Sequence, residues 1–169
     1  MTGKNLKRFL VQTPFFGGLT DEALDRIIAM LKVRSYPEDS TIFVEGDTGA
    51  AMFIIQSGEV LLCRSGGSGL QVRLVRLEQG DFFGETTLIE MQPRPGTAHA
   101  ETPVTLLELT NMDLYRLYRE DVKAYVMVLQ NINRELCRRL RTADGRITEI
   151  ADESGDEVTQ VVYRKRSNG

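Results

Sequence analysis

The sequence predicts a mainly β domain flanked by helices, with a long helix near its C-terminal end. From Val33 to Leu109, short runs of strand-forming residues are separated by turn signals. A spacing of about 8 to 12 residues between such turns is typical of a sandwich or barrel. Before and after this region, apolar residues recur at helical spacing. A chain of 169 residues therefore accommodates one β domain with helical appendages.

The N-terminal segment predicts two helices joined by an aromatic corner. Residues 3–12 form the first helix, and the segment Thr13–Gly18 ends it and contributes two phenylalanines to the corner. Thr20 is a good N-cap for the second helix because its side chain can accept from an exposed backbone N–H, and acidic residues follow it. Apolar residues at helical spacing extend this helix to about Lys32.

The central region predicts seven strands and several sharp turns. Gly46, Gly58 and Gly80 lie where strands must turn abruptly, and glycine tolerates the positive φ that such turns require. The candidate strands are 32–36, 41–44, 51–56, 59–64, 70–76, 98–101 and 104–109.

The stretch from Gly80 to Ala100 has residue types suited to a ligand. Residues 85–91 predict one or two helical turns whose first N–H groups have no partner in the helix and favour an anion. Glu85 begins this helix, and Arg94 follows it between two prolines. Arginine matches phosphate oxygens with a two-pronged fork, whereas a carboxylate only accepts and would select a sugar hydroxyl.

This stretch resembles the phosphate-binding cassette of cyclic nucleotide-binding domains. The matching residues are Phe83-Gly84-Glu85, Leu88, Pro93-Arg94, Thr97 and Ala100. Residues 43–47 and 52–60 are similar to the front half of the same family's β-roll, so the similarity covers roughly residues 14–143. The resemblance implies an eight-stranded antiparallel jelly roll (a β-roll, or double-stranded β-helix) flanked by helices.

The resemblance also implies a ligand, cAMP or cGMP, and a role for each cassette residue. Glu85 would accept a hydrogen bond from the ribose 2′-hydroxyl, Arg94 would pair with the cyclic phosphate, and nearby backbone amides would complete the cradle. In this family the C-terminal helix covers the base as a lid, so the resemblance implies that Thr142 on that helix could contact the base. The expected ligand-binding residues are Phe83, Gly84, Glu85, Thr86, Thr87, Arg94, Pro95, Gly96, Thr97 and Thr142.

The cassette departs from the family pattern at two places. Pro95 follows the arginine where a residue with a donating N–H is usual, and proline has no N–H. Two threonines follow Glu85 where an apolar and a small residue are usual. We expect weaker or altered nucleotide binding but not its loss, and a lean toward cAMP because a hydroxyl residue directly after the arginine assists guanine recognition in the family.

The C-terminal region predicts a short helix from Asn111 to about Tyr118 and a long one from residue 120 or 121 to about Ile150. The long helix carries a heptad seam, broken only by Asn133, which could specify the register of a homodimer. The alternative is that the same stripe packs on the β-roll. We expect its first half to pack on the roll and its second half to be the dimer surface. The seam positions are 122, 126, 129, 133, 136, 140, 143, 147 and 150.

Residues 151–169 predict a flexible tail, acidic and then basic, within which residues 158–163 could form a short strand. Its three consecutive basic residues are too few to predict a nucleic-acid patch. The expected organisation is N-terminal helices over 1–32, a β-roll over 33–110, C-terminal helices over 111–150 and the tail. The two cysteines, Cys63 and Cys137, are expected to be buried free thiols.

Composition excludes several functional classes. The net charge of −3 gives no general reason to bind DNA or an anionic membrane, and the polar N-terminus predicts a cytoplasmic protein rather than a secreted one. The single histidine, His99, is too few for a cupin-type metal site, so we expect no metal, no cofactor and no catalysis.

The leading interpretation is a cyclic-nucleotide sensor that signals to an unidentified effector by rearranging its C-terminal helix. One alternative is a scaffold β-roll with a degraded nucleotide site. Another is the sensor fragment of a transcription regulator, since the 19 residues after the long helix are too few for a helix-turn-helix domain.

Overall fold

The computed structural model describes residues 3–67 and 69–154, and it confirms a mainly antiparallel β fold with flanking helices. The chain divides into two compact units, residues 1–132 and residues 133–169. The first unit contains both β-sheets, four helices and the start of the fifth. The described part of the second unit is the remainder of that fifth helix.

Eight strands form two four-stranded sheets. One sheet has the order β1-β8-β3-β6 and the other β2-β7-β4-β5, with every pair antiparallel. Because strands from opposite ends of the region pair with one another, the chain wraps into the jelly roll that the resemblance implied. The strands are β1 Lys32–Tyr36, β2 Thr41–Phe43, β3 Ala51–Ser57, β4 Val60–Ser65, β5 Gln71–Leu77, β6 Phe82–Phe83, β7 Thr97–Ala100 and β8 Val104–Thr110.

Sequence reasoning missed one strand. Phe82 and Phe83 form β6 by pairing with Ile54 and Phe53 of β3. A two-residue strand has too little alternation to be visible as a period-2 pattern.

The core lies between the two sheets and draws residues from both. Members from β3, β6 and β8 meet members from β4, β5 and β7, as expected for the facing sides of two packed sheets. The cluster is Ala51, Phe53, Ile55, Val60, Leu77, Phe83, Ala98, Ala100, Val104 and Leu106.

The helices lie close to their predicted bounds: α1 Gly3–Val11, α2 Asp21–Met30, α3 Glu85–Glu90, α4 Asn111–Glu120 and α5 Val122–Ser154. The Thr20 hydroxyl accepts from the Ala23 N–H, which confirms the predicted N-cap. The helix ends earlier than predicted because Leu31 has an extended backbone and leads directly into β1. Thr110 and Asp113 form a reciprocal capping box at the start of α4.

The predicted aromatic corner is present. Pro14–Phe16 form a single 3-10 turn, and the buried Phe15 ring packs edge-on against Phe82 at 5.4 Å. The amide of Asn131 on α5 donates to the carbonyls of Phe15 and Gly17 at 2.9 and 2.8 Å. The corner thus joins the sheet region to the first part of α5.

This packing corrects the prediction for the first half of α5. Its buried stripe runs along Ala124, Val128, Asn131 and Ile132, and Asn131 binds the aromatic corner. The predicted seam residues Val122 and Val126 are exposed instead. Apolar spacing alone did not distinguish the buried stripe from the exposed seam. Asn131 is polar and would be expected to face solvent, yet it is buried.

Other predictions near the C-terminus are also corrected. Cys63 is buried as expected, but Cys137 is exposed. The long helix continues through residues 151–154, which the tail prediction had included. The rest of the predicted tail, with the possible strand at 158–163, lies outside the described residues.

None of the helices over 3–67 and 69–154 combines the length and apolar character needed to cross a membrane. Within those same ranges, no group of three or more His, Cys, Asp or Glu side chains is placed to hold a metal ion.

Candidate functional site

The turn between β6 and α3 depends on Gly84. Its φ is +79°, a left-handed conformation that glycine adopts without steric cost, and α3 begins at the next residue. A Cβ atom at this position would lie 2.6 Å from Nη1 of Arg94 and 3.2 Å from the Ala51 carbonyl oxygen. Glycine is therefore required both by the turn and by the arginine that packs against it.

The backbone of Arg94 is held by the loop between β2 and β3. The Arg94 N–H donates to the Asp47 carbonyl at 2.8 Å, and the Arg94 carbonyl accepts from the Gly46 N–H at 2.9 Å. This pair of hydrogen bonds holds the backbone of Arg94 in place between Pro93 and Pro95. It also joins the cassette to a loop almost fifty residues earlier in sequence.

The Arg94 side chain is buried, with 5% of its surface exposed. Nη1 donates to the Gly84 carbonyl at 3.0 Å and to the Thr87 hydroxyl at 3.3 Å, and Nη2 donates to the Ala51 carbonyl at 2.7 Å. The guanidinium also lies over the Phe43 ring, 4.2 Å from its centroid. These contacts give a buried cation one defined orientation.

Glu85, the first residue of α3, is 3% exposed and lies close enough to influence Arg94 electrostatically. Burial lowers the pKa of the Arg94 guanidinium, whereas the carboxylates of Glu85 and Asp47 act to raise it. The guanidinium remains charged at neutral pH because the pKa of an arginine side chain lies far above 7. The site therefore places a buried cation and a buried carboxylate close together at the start of α3.

An open cavity of about 250 Å³ borders Arg94. The acidic side chains of Asp47 and Glu108 line it together with the Phe43 and Phe53 rings. Of the residues predicted to bind ligand, Arg94 lines this cavity and Glu85 does not. The full lining is Ile42, Phe43, Asp47, Thr48, Gly49, Ala50, Ala51, Phe53, Arg94, Glu108 and Thr110.

The β-roll and the cassette match a known domain family. The family model described as "Cyclic nucleotide-binding domain" matches residues 33–121, more than half of the chain. The chain belongs to this family. The matched range contains α3, Arg94 and both sheets except Lys32, the first residue of β1.

Relatives of this cyclic nucleotide-binding domain include regulators from bacteria and fungi. The Cyclic AMP receptor protein of Thermus thermophilus is 34% identical over 136 residues, which are 78% of this chain and 59% of that protein. The cAMP-dependent protein kinase regulatory subunit of Aspergillus niger is 32% identical over 109 residues, which are 64% of this chain and 26% of the subunit.

Among solved structures, the Catabolite Activator Protein of Thermus thermophilus has a TM-score of 0.72 at 33% identity, covering 82% of this chain and 63% of that one. The shared fold confirms the β-roll architecture. The chain thus spans about three fifths of the length of its Thermus relatives.

The other residues predicted to bind ligand differ in their exposure to solvent. Phe83 and Thr87 are buried, Thr86 and Gly96 are half-buried, and Pro95 is exposed. Gly96 packs tightly on the neighbouring strand, since a Cβ there would lie 2.6 Å from the Cys63 carbonyl oxygen.

Thr97 and Thr142 already make contacts within the chain. The buried Thr97 hydroxyl accepts from the Glu45 N–H at 3.0 Å, a contact that supports the β2–β3 loop. Thr142 lies on α5 in the second unit, where it is exposed and its hydroxyl donates to the Arg138 carbonyl at 3.2 Å. Its role toward a ligand remains a prediction from the resemblance.

The sequence did not reveal that residues near β2 and β3 surround Arg94. The β2–β3 loop supplies Gly46, Asp47 and Gly49. The start of β3 supplies Ala51, and the end of β2 supplies Phe43. Gly46 was visible in the sequence as a turn former. The proximity of its loop to Arg94 was not visible, because it depends on how the two sheets pack.

Proposed function

We propose that this chain is a regulatory module that binds a cyclic nucleotide, cAMP in preference to cGMP, through the cassette of residues 80–100. The observation that carries the proposal is the buried, oriented guanidinium of Arg94 with the buried carboxylate of Glu85 nearby. A buried cation is costly unless its charge is compensated. A cyclic phosphate would supply a full negative charge to Arg94.

The roles follow from donor and acceptor chemistry. Arg94 binds the cyclic phosphate, Glu85 accepts from the ribose 2′-hydroxyl, and the amides near Thr86, Thr87 and Gly96 complete the phosphate cradle. Pro95 contributes no N–H, so affinity is lower than in a cassette that has a donor there. Relatives named for cAMP support the preference for adenine over guanine.

Thermal unfolding with and without nucleotide tests the binding proposal. A ligand at about 100 times its dissociation constant adds roughly 2.7 kcal/mol of stability, so millimolar cAMP raises the Tm clearly and cGMP raises it less. Arg94→Ala abolishes the shift and Glu85→Ala reduces it.

The matched control is Arg119→Ala, which removes an exposed arginine from α4 and leaves the shift intact. A wild-type protein that shows no shift with either nucleotide contradicts the proposal. That result favours the scaffold interpretation, for which the missing donor at Pro95 is the specific observation.

The same proposal includes signalling through α5. Nucleotide binding shifts the position of this helix only if the ligand contacts differ between two arrangements of it. An environment-sensitive fluorophore on Cys137, the exposed thiol of α5, reports such a change, while Cys63 is buried and resists labelling. We expect cAMP to change the emission of the labelled protein and to leave that of labelled Arg94→Ala unchanged. Nucleotide binding without any emission change contradicts the helix mechanism.

A further inference from the structure

The Arg94 guanidinium has more donors than the chain uses. It carries five N–H bonds. Three of them are directed at the Gly84 carbonyl, the Thr87 hydroxyl and the Ala51 carbonyl. Within the part of the chain that the structure describes, the Nε–H and one N–H of Nη2 remain for an external acceptor.

The three internal acceptors differ in kind. The carbonyls of Gly84 and Ala51 belong to the backbone of the β6–α3 turn and of β3, so no side-chain substitution removes them. Thr87 is the one side-chain acceptor among the three. It is buried on α3, so its hydroxyl has a fixed direction.

The branched side chain of Thr87 fits the space beside Arg94. Its hydroxyl accepts from Nη1, while its methyl Cγ2 lies 2.8 Å from where a Cβ of Gly49 would be. Threonine has a restricted χ1, which keeps the hydroxyl and the methyl in these two places. Threonine at this position departs from the small residue that is usual in the family.

We propose that Thr87 is a positioning residue that sets the direction in which Arg94 presents its two remaining N–H groups to the cyclic phosphate. The proposal rests on the proposed function and deepens it. Thr87 acts through the arginine and does not itself bind the phosphate through its hydroxyl. The missing donor at Pro95 increases the dependence of phosphate binding on Arg94 and therefore on its orientation.

Removing the hydroxyl leaves a buried N–H of Arg94 without its acceptor. A buried donor to which no acceptor is offered is costly, so the guanidinium rotates to recover a partner. Rotation turns the Nε and Nη2 edge away from the phosphate. Thr87→Val keeps the branched shape and removes the hydroxyl alone, and Thr87→Ser keeps the hydroxyl.

Titration calorimetry with cAMP measures the effect on the full chain. We expect Thr87→Val to weaken cAMP binding about tenfold, the fold-change expected from losing one hydrogen bond to a charged group, and Thr87→Ser to stay within about twofold of wild type. The Tm of the nucleotide-free Val variant serves as the check that the fold is retained.

A double-mutant cycle with Arg94→Lys separates positioning from a direct or purely structural role. Lysine keeps the positive charge but lacks the planar fork that Thr87 orients. Thr87→Val in the Arg94→Lys background should therefore weaken binding less than about twofold. An equal loss in both backgrounds overturns the proposal, because Thr87 would then contact the ligand or support the site independently of Arg94. Wild-type affinity in Thr87→Val also overturns it.

The two proposals fail in different measurements. If wild-type protein binds neither cAMP nor cGMP, the proposed function fails and the role of Thr87 fails with it. If wild-type protein binds and the Val variant behaves identically, only the role of Thr87 is wrong.

Discussion

Arg94 is a buried cation whose place depends on two small residues. A Cβ at Gly49 would lie 2.5 Å from Nε of Arg94, and one at Gly84 would lie 2.6 Å from Nη1. The two glycines differ in backbone: Gly84 has a positive φ and Gly49 does not. Gly49 can therefore be replaced by alanine without backbone strain, so the substitution tests the space around the guanidinium alone.

We predict that Gly49→Ala displaces the guanidinium and weakens cAMP binding by about tenfold or more. The distance is too short for a Cβ, so Arg94 must move, and overpacking of this kind also lowers stability by about 1–3 kcal/mol. Gly67→Ala is the matched control because nothing lies within 4 Å of the added atom. Calorimetry of both variants with cAMP checks this, and unchanged affinity in Gly49→Ala contradicts the geometry described for Arg94.

The sequence predicted that Glu85 and Arg94 belong to one site, but it did not predict which groups surround Arg94. The spacing of Glu85 and Arg94 indicated a ligand site, and both side chains are buried close to each other. The acceptors of Arg94 are mostly backbone carbonyls, whose positions have no sequence signature. The stacking on Phe43 likewise depends on the contact of β2 with the cassette.

At the scale of the element, α5 carries a charged cluster around Glu135. This carboxylate is 7% exposed and accepts from Arg138 and Arg139 at distances between 2.6 and 2.9 Å. Burial by itself would raise the pKa of Glu135, but the hydrogen bonds and charges of the two arginines outweigh it and hold the pKa below that of a free glutamate. The three residues share one face of the helix because they are spaced three and four positions apart.

The direction of the pKa shift predicts an acid-dependent loss of stability. A carboxylate whose folded pKa is lowered stabilises the fold above its unfolded pKa, and the contribution is lost as pH falls through the folded pKa. We predict that Glu135→Gln lowers the Tm at pH 7 and makes the fall in Tm below pH 4.5 shallower than in wild type.

Circular dichroism of the helix signal between pH 7 and 3 measures this dependence. Glu149→Gln, which removes an exposed carboxylate from the same helix, serves as the control and should follow the wild-type curve. Identical acid slopes for Glu135→Gln and wild type would show that the two arginines do not stabilise the charged form.

Across the two sheets, the strand pattern predicted a sandwich or barrel with seven of the eight described strands, and the resemblance implied the β-roll. The sequence also predicted the five α-helices of the described residues. The buried face of the first part of α5 was predicted wrongly. Hydrophobic spacing identified a seam, whereas the contact through Asn131 selected a different stripe for burial. Only three-dimensional packing decides between two stripes of similar apolar character on one helix.

The seam that this packing leaves exposed bears on assembly. Leu140, Ile147 and Ile150, in the second half of α5, lie on the predicted seam and are 62%, 65% and 65% exposed. Heptad-spaced apolar residues on one helix are the pattern by which two helices pair, and a polar residue such as Asn133 fixes their register. We therefore predict a homodimer formed by α5 of two copies, in which these side chains are removed from water.

Light scattering with size separation over a range of concentrations tests this prediction. We expect wild-type protein to have the mass of two chains, and the double variant Leu140→Glu/Ile147→Glu to have the mass of one, because paired helices would bring like charges together in an apolar seam. Thr148→Glu adds a charge to the same helix away from the seam and should remain dimeric.

Crosslinking through Cys137 is a second test. This exposed cysteine follows the seam position Leu136, so a bifunctional maleimide should link two wild-type chains and should link the double variant poorly. A wild-type protein with the mass of one chain at every concentration, or a double variant that stays dimeric, would show that the exposed seam of α5 is not the interface.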